Sequence, residues 1–452
     1  LSLVGSEMCI RDSYLFQANV RHDGSSRFAK GYRWGTFPSF SAGWVASEEK
    51  FMKNLKWDWL SFLKLRGSWG MLGNERIGSN YFPYIALMSF GNSLFYMADG
   101  SVVSDKTARP AVLAVEDITW ETTTSTDLGL DVNFLNNRLQ FHFDYYWKET
   151  KDMLLNIEIP YFMGYNNPST NAGKMSTHGY DIEVAWNDQI GDFKYGVNVN
   201  FSDFLSKIDY MNDGEQISGG KIKRAGVLFN EFYGYVCEGI YQTQEEVNNS
   251  ARTSTTVTVG DLKYRDISGP DGVPDGVISP EYDRVPLGNS LPRFQYGGSL
   301  NASYKGIDFS LAFQGIGKQN SYLSTSMVQP LRDNYGNVPA ILEGKYWSPF
   351  NTTEENLAAK YPRLSNVSKS NNYATSNFWM FNGSYFRLKN ITLGYTLPKS
   401  WTQKAGINRA RFYVSGSDLF CLSNFPSGWD PEMGTSDYPI TTSLVMGIQV
   451  NF

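Results

Sequence analysis

"TTSLVMGIQVNF", residues 441–452, closes the chain, and its reading decides the fold. From Leu444 onward every second residue is large and apolar: Leu444, Met446, Ile448, Val450 and Phe452. Ser443, Val445, Gly447, Gln449 and Asn451 alternate with them and are mostly small or polar. A period of two marks a β-strand with one apolar face and one wet face. Chain ends ordinarily fray. This one stays amphipathic to its final aromatic.

The same alternation recurs upstream. In "RLQFHFDYYWK" the apolar set is Leu139, Phe141, Phe143, Tyr145 and Trp147, with Gln140, His142, Asp144 and Lys148 opposite. In "STDLGLDVNFL" Leu128, Leu130, Val132 and Phe134 face away from Asp127, Asp131 and Asn133. "KYGVNVNFSD", "GIDFSLAFQG", "SFSAGWVAS" and "FLKLRGSWG" repeat the pattern. In "GSYFRLKNITLGYTLP" the phase slips, from Phe386 and Leu388 to Ile391, Leu393, Tyr395 and Leu397. A turn or bulge near Lys389-Asn390 accounts for the slip. Sustained helical periodicity is missing, although "QTQEEVNN" is suited to a short helical turn.

The totals agree with one large β-architecture. Of 452 residues, 15% are aromatic, 19% are charged and 42 are Gly. Mean hydropathy is −0.36. No run of about 18 apolar residues exists, which excludes a transmembrane helix but not a closed barrel, whose strands satisfy every backbone group. The net charge of −5 and the lack of a Lys/Arg-rich stretch give no support to a nucleic-acid partner, and none is expected. Cys9, Cys237 and Cys421 form no CxxC pair, so neither a disulfide framework nor a zinc site is expected.

A β-sandwich also alternates, and a soluble β-rich carbohydrate-binding module is the alternative reading. Three features favour a transmembrane antiparallel outer-membrane β-barrel. The strands approach about ten residues, the length of a tilted crossing. Apolar faces end in Trp44, Trp69, Tyr145, Trp147 and Tyr395, as interfacial aromatic girdles require. Short links such as "LNNR" (135–138) contrast with very long ones, about 205–293 and 315–380, the asymmetry of periplasmic turns against extracellular loops. In such a barrel the last strand pairs with the first, leaving no open edge. On this reading Phe141, Phe143, Leu311, Phe313, Ile448 and Val450 face outer-membrane lipids.

Residues 1–13, "LSLVGSEMCIRDS", do not alternate and resemble a translated sequencing-adapter peptide. They are read as a non-native tail, which makes residues 14–452 the C-terminal part of a longer protein. With these loops, residues 14–452 have room for about 14–16 strands.

"VRHDGSSRFAKGYRWGTFPSFSAGWVASEEKF" (20–51), "LKLRGSWGMLGN" (63–74) and "WETTTSTDLGLDVNFLNNRLQFHFDYYWKETKDML" (120–154) are joined by "NAGKMSTHGYDIEV" (171–184) and "EGIYQTQEE" (238–246). "NGSYFRLKNITLGYTLP" (382–398), "RFYVSGSDLF" (411–420) and "WDPEMG" (429–434) complete the set. Together these resemble the SusC/RagA family of TonB-dependent outer-membrane transporters, from Tyr14 to Phe452 and in the family's order. The resemblance implies TonB-driven import of large nutrients, oligosaccharides or peptides, with a SusD-like lipoprotein over the outer mouth. It also implies a barrel of about 22 strands with an N-terminal plug. The plug and the TonB-contacting segment are missing from this chain, so the barrel is expected to be incomplete here.

One stretch has the chemistry of a calcium loop, "GDLKYRDISGPDGVPDGVISPEYDR" (260–284). Asp266, Ser268, Asp275, Glu281 and Asp283 offer oxygen ligands, Gly276 a sharp turn and Ile278 an anchor. Against this, "PDGV" interrupts the spacing, and Asp-Gly is also a plain turn former. His142 and Asp144 share a strand face, which raises an outer-membrane barrel hydrolase, but no nucleophile or oxyanion hole accompanies them. His22, beside the "RHDGSSRF" loop, and His178, in a turn flanked by Gly179, read as loop residues. Tyr233, Tyr235, Tyr346, Trp347, Trp379 and Trp429 are loop aromatics suited either to stacking on sugars or to girdle or partner contacts, and none is assigned.

Overall fold

The computed structural model describes residues 2–10, 13–55, 57–77, 81–111, 113–157, 159–212, 214–332, 336–434 and 438–452, with residues 2–10 described as backbone only. Its main element is a sheet of thirteen strands. They are β1 (Ser2–Ile10), β2 (Tyr14–Gly24), β3 (Trp34–Val45), β4 (Leu60–Asn74), β5 (Glu121–Phe134), β6 (Leu139–Asn156), β7 (Ser169–Ile190), β8 (Phe193–Met211), β9 (Arg293–Tyr304), β10 (Ile307–Lys318), β11 (Tyr385–Thr396), β12 (Arg409–Ser423) and β13 (Ser443–Asn451). Sheet order follows chain order throughout. This antiparallel meander is the topology a barrel is wound from.

Strands outrun the expected length. β6, β7 and β8 have 18, 22 and 19 residues. At roughly 3.3 Å per residue, 22 residues extend far beyond a bilayer. Among the described residues, 14–452 therefore contribute twelve strands to this sheet, fewer and longer than the 14–16 expected. Long and short links alternate. Residues 135–138, 191–192 and 305–306 turn tightly, while residues 75–120, 212–292 and 319–384 form extended excursions. The sequence placed the long links at about 205–293 and 315–380. The structure trims the first, because the strand before it continues to Met211, and shifts the second, because the strand before it continues to Lys318 and the one after it begins only at Tyr385. The turn at 135–138 holds Leu135, Asn136 and Asn137 in left-handed backbone conformation, which asparagine tolerates well.

The chain packs as two units. The first comprises residues 1–187 with 202–216 and 224–228. Here the ladder aligns the apolar sets of successive strands on one face. Tyr14 faces Trp44, Trp44 faces Leu65, Leu65 faces Leu130, Leu130 faces Phe143 and Phe143 faces Ile182. A small core of Phe28, Phe37, Ile77, Ile118 and Trp120 lies beneath the links.

The second unit comprises residues 188–201, 217–223 and 229–452. Leu300, Leu311, Ile391, Gly416 and Leu444 form one continuous row across β9 to β13, beside Ala302, Phe309, Leu393, Val414 and Met446. The phase slip lies where the sequence located it. Leu388 and Asn390 pair with Phe420 and Ser417, leaving Lys389 in a bulge that keeps Leu388 and Ile391 on one face. Links 212–292 and 319–384 pack around Tyr235, Leu262, Tyr264, Ile278, Met327, Val328, Leu342 and Trp379. "QTQEEVNN" does form a helical turn, Gln244–Asn248, capped by the Thr243 hydroxyl.

β1 lies in the segment that the sequence set apart. Its backbone pairs with β2 from Ser2 opposite His22 to Ile10 opposite Tyr14. An open edge accepts any extended chain through its peptide groups, so this pairing is indifferent to the segment's origin. His22 and His178 require correction, because both lie within strands, β2 and β7. Gly179 suggested a turn, but it serves as the floor for the Tyr146 ring, which would meet a Cβ there at 2.4 Å.

Candidate functional site

The two faces of the first unit's sheet have opposite chemistry. One carries exposed Phe16, Phe40, Leu65, Trp69, Leu128, Tyr145 and Trp147. Apolar surface on this scale, rimmed with aromatics, fits lipid rather than water. In the second unit β13 shows the same face, with Ile448 65% and Met446 74% exposed.

The other face gathers charge. Arg66, Gly129 and Asp144 stand side by side on β4, β5 and β6. A Cβ on Gly129 would lie 2.5 Å from both the Arg66 guanidinium and Asp144 Oδ1, so its absence lets the two side chains meet. Arg66 Nε and Nη2 donate to Asp131 Oδ2 and Oδ1, both at 2.9 Å, and Nη2 also reaches Asp144 Oδ2 at 3.0 Å. Nδ1 of His142 lies 3.0 Å from Asp131 Oδ1. The expectation that His142 and Asp144 share a face holds, but both carboxylates in this group are engaged by Arg66. This is an ion network on a wet wall.

A second charged group joins β11 to residues 429–434. Buried Arg387 donates from Nη2 to Asp430 Oδ2 at 2.6 Å and pairs through Nε with Glu432. Gln314 Nε2 donates to Glu432 at 2.8 Å, and Lys389 Nζ pairs with Asp418 at 2.8 Å. No local pattern joins "RLKN" to "WDPE", because about forty residues intervene. The available signal was an arginine inside an otherwise amphipathic strand.

The long links form a cross-stitched body. Fully buried Asp261 accepts from Arg363 Nε at 2.7 Å, Asn372 Nδ2 at 2.8 Å and the Thr258 amide at 2.9 Å. Asn371 and Asn372 bond the backbone of Leu262, and Trp379 Nε1 donates to the Asn372 carbonyl at 2.8 Å. Tyr233, Tyr235, Trp347 and Trp379 are buried. These loop aromatics are core, offering no open plane to a sugar. Burial pushes the Cys237 thiol up to about 11 and the Tyr241 and Tyr322 hydroxyls up to about 12.

The acidic turn is held by its own backbone. Asp283 Oδ1 accepts from the amides of Ile267 (2.7 Å) and Ser268 (3.3 Å), and Oδ2 from Ser279 (2.7 Å). Asp266 accepts from the Gly276 amide at 2.7 Å, and Asp275 from the Val277 amide at 2.9 Å. Ile278 is buried as an anchor, whereas Glu281 is exposed. Among the described residues no three His, Cys, Asp or Glu side chains gather as a metal site. No helix among them is long and apolar enough to cross a membrane.

A meander with one lipid-compatible face and one wet, ion-paired face defines an outer-membrane barrel protein. The family described as "TonB dependent receptor-like, beta-barrel" matches residues 7–415, and the chain belongs to it. TonB-dependent receptor P3 of Formosa agariphila is 30% identical over 475 residues, covering 97% of this chain and 44% of that protein. TonB-dependent receptor SusC of Bacteroides thetaiotaomicron is 29% identical over 454 residues, covering 97% and 42%. The fold resembles the structure of the RagAB peptide transporter, with a TM-score of 0.77 at 24% identity, covering 97% of this chain and 46% of that one. The chain thus spans less than half the length of the relatives it matches. The family comprises outer-membrane receptors and transporters, which sets aside the hydrolase reading.

Proposed function

We propose that the full-length protein imports large nutrients, oligosaccharides or peptides, across the outer membrane. TonB drives it through a part outside these 452 residues, and a SusD-like surface lipoprotein works with it. The observation that carries this reading is the family match over residues 7–415, joined to an apolar sheet face that water would not tolerate. Peptides are supported by the likeness to a peptide transporter, and oligosaccharides by the resemblance of the sequence motifs. The polar wall of Arg66, Asp131, His142 and Asp144 would give a hydrated cargo partners during passage.

Uptake of labelled oligosaccharide and peptide mixtures by cells with and without TonB tests the proposal. Uptake that depends on both the receptor and TonB is expected, and uptake indifferent to TonB would contradict it. The wall and the buried loop aromatics disfavour the soluble carbohydrate-binding module. Residues 1–13 remain assigned to a non-native tail. Peptide mapping of the native protein should find other sequence before Tyr14, and a native peptide containing "VGSEMCIR" would reverse the assignment.

A further inference from the structure

At the foot of β10 to β13 the lipid-facing side is hollowed. The hollow, about 730 Å³, lies between a row of Ile307, Tyr395, Phe412 and Ile448 and a second row holding Leu393 and Val414. Its first row adjoins the tight turn at 305–306 and the link 397–408. Residues 304–307 and 396–411 carry five cations, Lys305, Lys399, Lys404, Arg409 and Arg411, and no carboxylate. Alternation puts Arg411 on the wet face, where its Nε donates to Asp308 Oδ1 at 2.9 Å. Lys305, Lys399 and Lys404 are exposed, and none of them pairs with a carboxylate among the described residues. Lys305 is held on the apolar side: its Nζ lies 5.3 Å from the centre of the Tyr304 ring, and Tyr304 stands opposite Ile307. The link begins with a helical turn, Lys399–Thr402, that buries Thr402 and leaves Trp401 65% exposed.

We propose that this hollow binds an anionic phospholipid of the periplasmic leaflet, with an acyl chain in the trough and the phosphate at the rim that carries Lys305, Lys399 and Lys404. Lipid is the occupant because the hollow is continuous with the apolar rows of an outer-membrane sheet. A further strand beside β13 would join through its peptide edge and leave this face open. The headgroup is anionic because three ammonium groups without carboxylates attract a bare phosphodiester and repel a headgroup that carries its own ammonium. Tight turns such as 305–306 belong to the periplasmic side, so the rim meets the inner leaflet, while the other leaflet lies a strand's length away toward Lys318. Trp401 completes the rim, an amphipathic ring suited to headgroup depth. The site rests on the membrane topology alone and asks nothing of cargo or TonB.

The test places the full-length receptor in phosphatidylcholine vesicles doped with phosphatidylglycerol that carries a photoreactive acyl chain. Adducts are expected on the strand segments around Leu393, Phe412 and Ile448, and unlabelled phosphatidylglycerol should compete them away. The triple variant Lys305→Gln/Lys399→Gln/Lys404→Gln should lower their yield about tenfold or more. Lys318→Gln, at the far end of β10, should leave the yield unchanged. Photoreactive phosphatidylcholine on the unaltered receptor separates a site from ordinary lipid contact, a readout that survives if the triple variant fails to insert. Equal labelling by the two lipids, adducts spread over the whole apolar face, or an undiminished yield in the triple variant would overturn the site. So would competition by inorganic phosphate as strong as that by phospholipid, or competition by lipopolysaccharide alone. The assay reads lipid and no uptake, so its failure and the failure of the import proposal are told apart.

Discussion

Arg66 and Asp131 meet through two parallel hydrogen bonds of 2.9 Å, across strands β4 and β5, on the wet face of the sheet. The bidentate geometry fixes the guanidinium plane, and Gly129 leaves it room to reach Asp144 as well. Gly129→Val should drive the guanidinium off both carboxylates and destabilise the sheet by about 1–3 kcal/mol. Arg66→Lys should recover only part of the stability lost in Arg66→Met, because an ammonium cannot make the paired contact. Urea unfolding of the full-length receptor in detergent measures both. Full rescue by lysine would show that charge alone matters.

Arginine at Leu311 or Ile448 should cost roughly 2–4 kcal/mol at mid-bilayer depth, whereas arginine at Ser310 or Gln140 should cost little. Refolding into lipid vesicles measures the difference. Equal penalties on the two faces would point to a sheet buried on both sides.

The bulge makes a sharper test of register. Removing Lys389 leaves Leu388 and Ile391 on one face and should preserve insertion, with the ion pairs to Asp418 and Glu432 lost. Removing Thr392 shifts half of β11 by one residue and turns its apolar set to the wet side. Heat-modifiable mobility on gels should survive the first deletion and vanish with the second. Similar behaviour of the two would remove the bulge's role.

Alternation made the sheet legible, down to the bulge at Lys389, because period two is written residue by residue. The long links were legible only as lengths. Their core depends on Asp261 meeting Arg363 and Asn372 across about a hundred residues, and no local pattern encodes such a meeting. The sequence therefore leaves Tyr235 and Trp379 open between sugar, girdle and partner contacts, whereas both are buried in the core of the links. The hairpin of Met88–Tyr96 and Val102–Pro110 also went unread, since it lies inside a link. Gly179 misled for a related reason, because a glycine that seats the Tyr146 ring resembles a glycine that turns the chain.

Burial holds Cys237 protonated, with the thiol pushed up to about 11. Maleimide labelling at pH 8 should be slow in the folded receptor and rise steeply toward pH 11. The sign follows from linkage. The folded state keeps a proton that the unfolded thiol releases above about pH 8.5, so this stability is complete below that pH and falls as pH climbs to 11. Rapid labelling at pH 8 would place Cys237 in an open site.

Limited proteolysis of intact cells expressing the full-length receptor tests the membrane topology most directly. Link 212–292 belongs to the long set, which barrels of this kind hold outside the cell, and its turn at Gly272 is exposed. Protease added to intact cells is expected to cut within 212–292, while the turns at 135–138 and 305–306 are cut only after permeabilisation. The amide bonds to Asp266, Asp275 and Asp283 should keep the cut near Gly272 indifferent to chelator, and slowing by calcium would show that these carboxylates hold the ion instead. Cleavage of 212–292 that requires permeabilised cells would contradict the topology and, with it, an import receptor that presents these loops to its cargo.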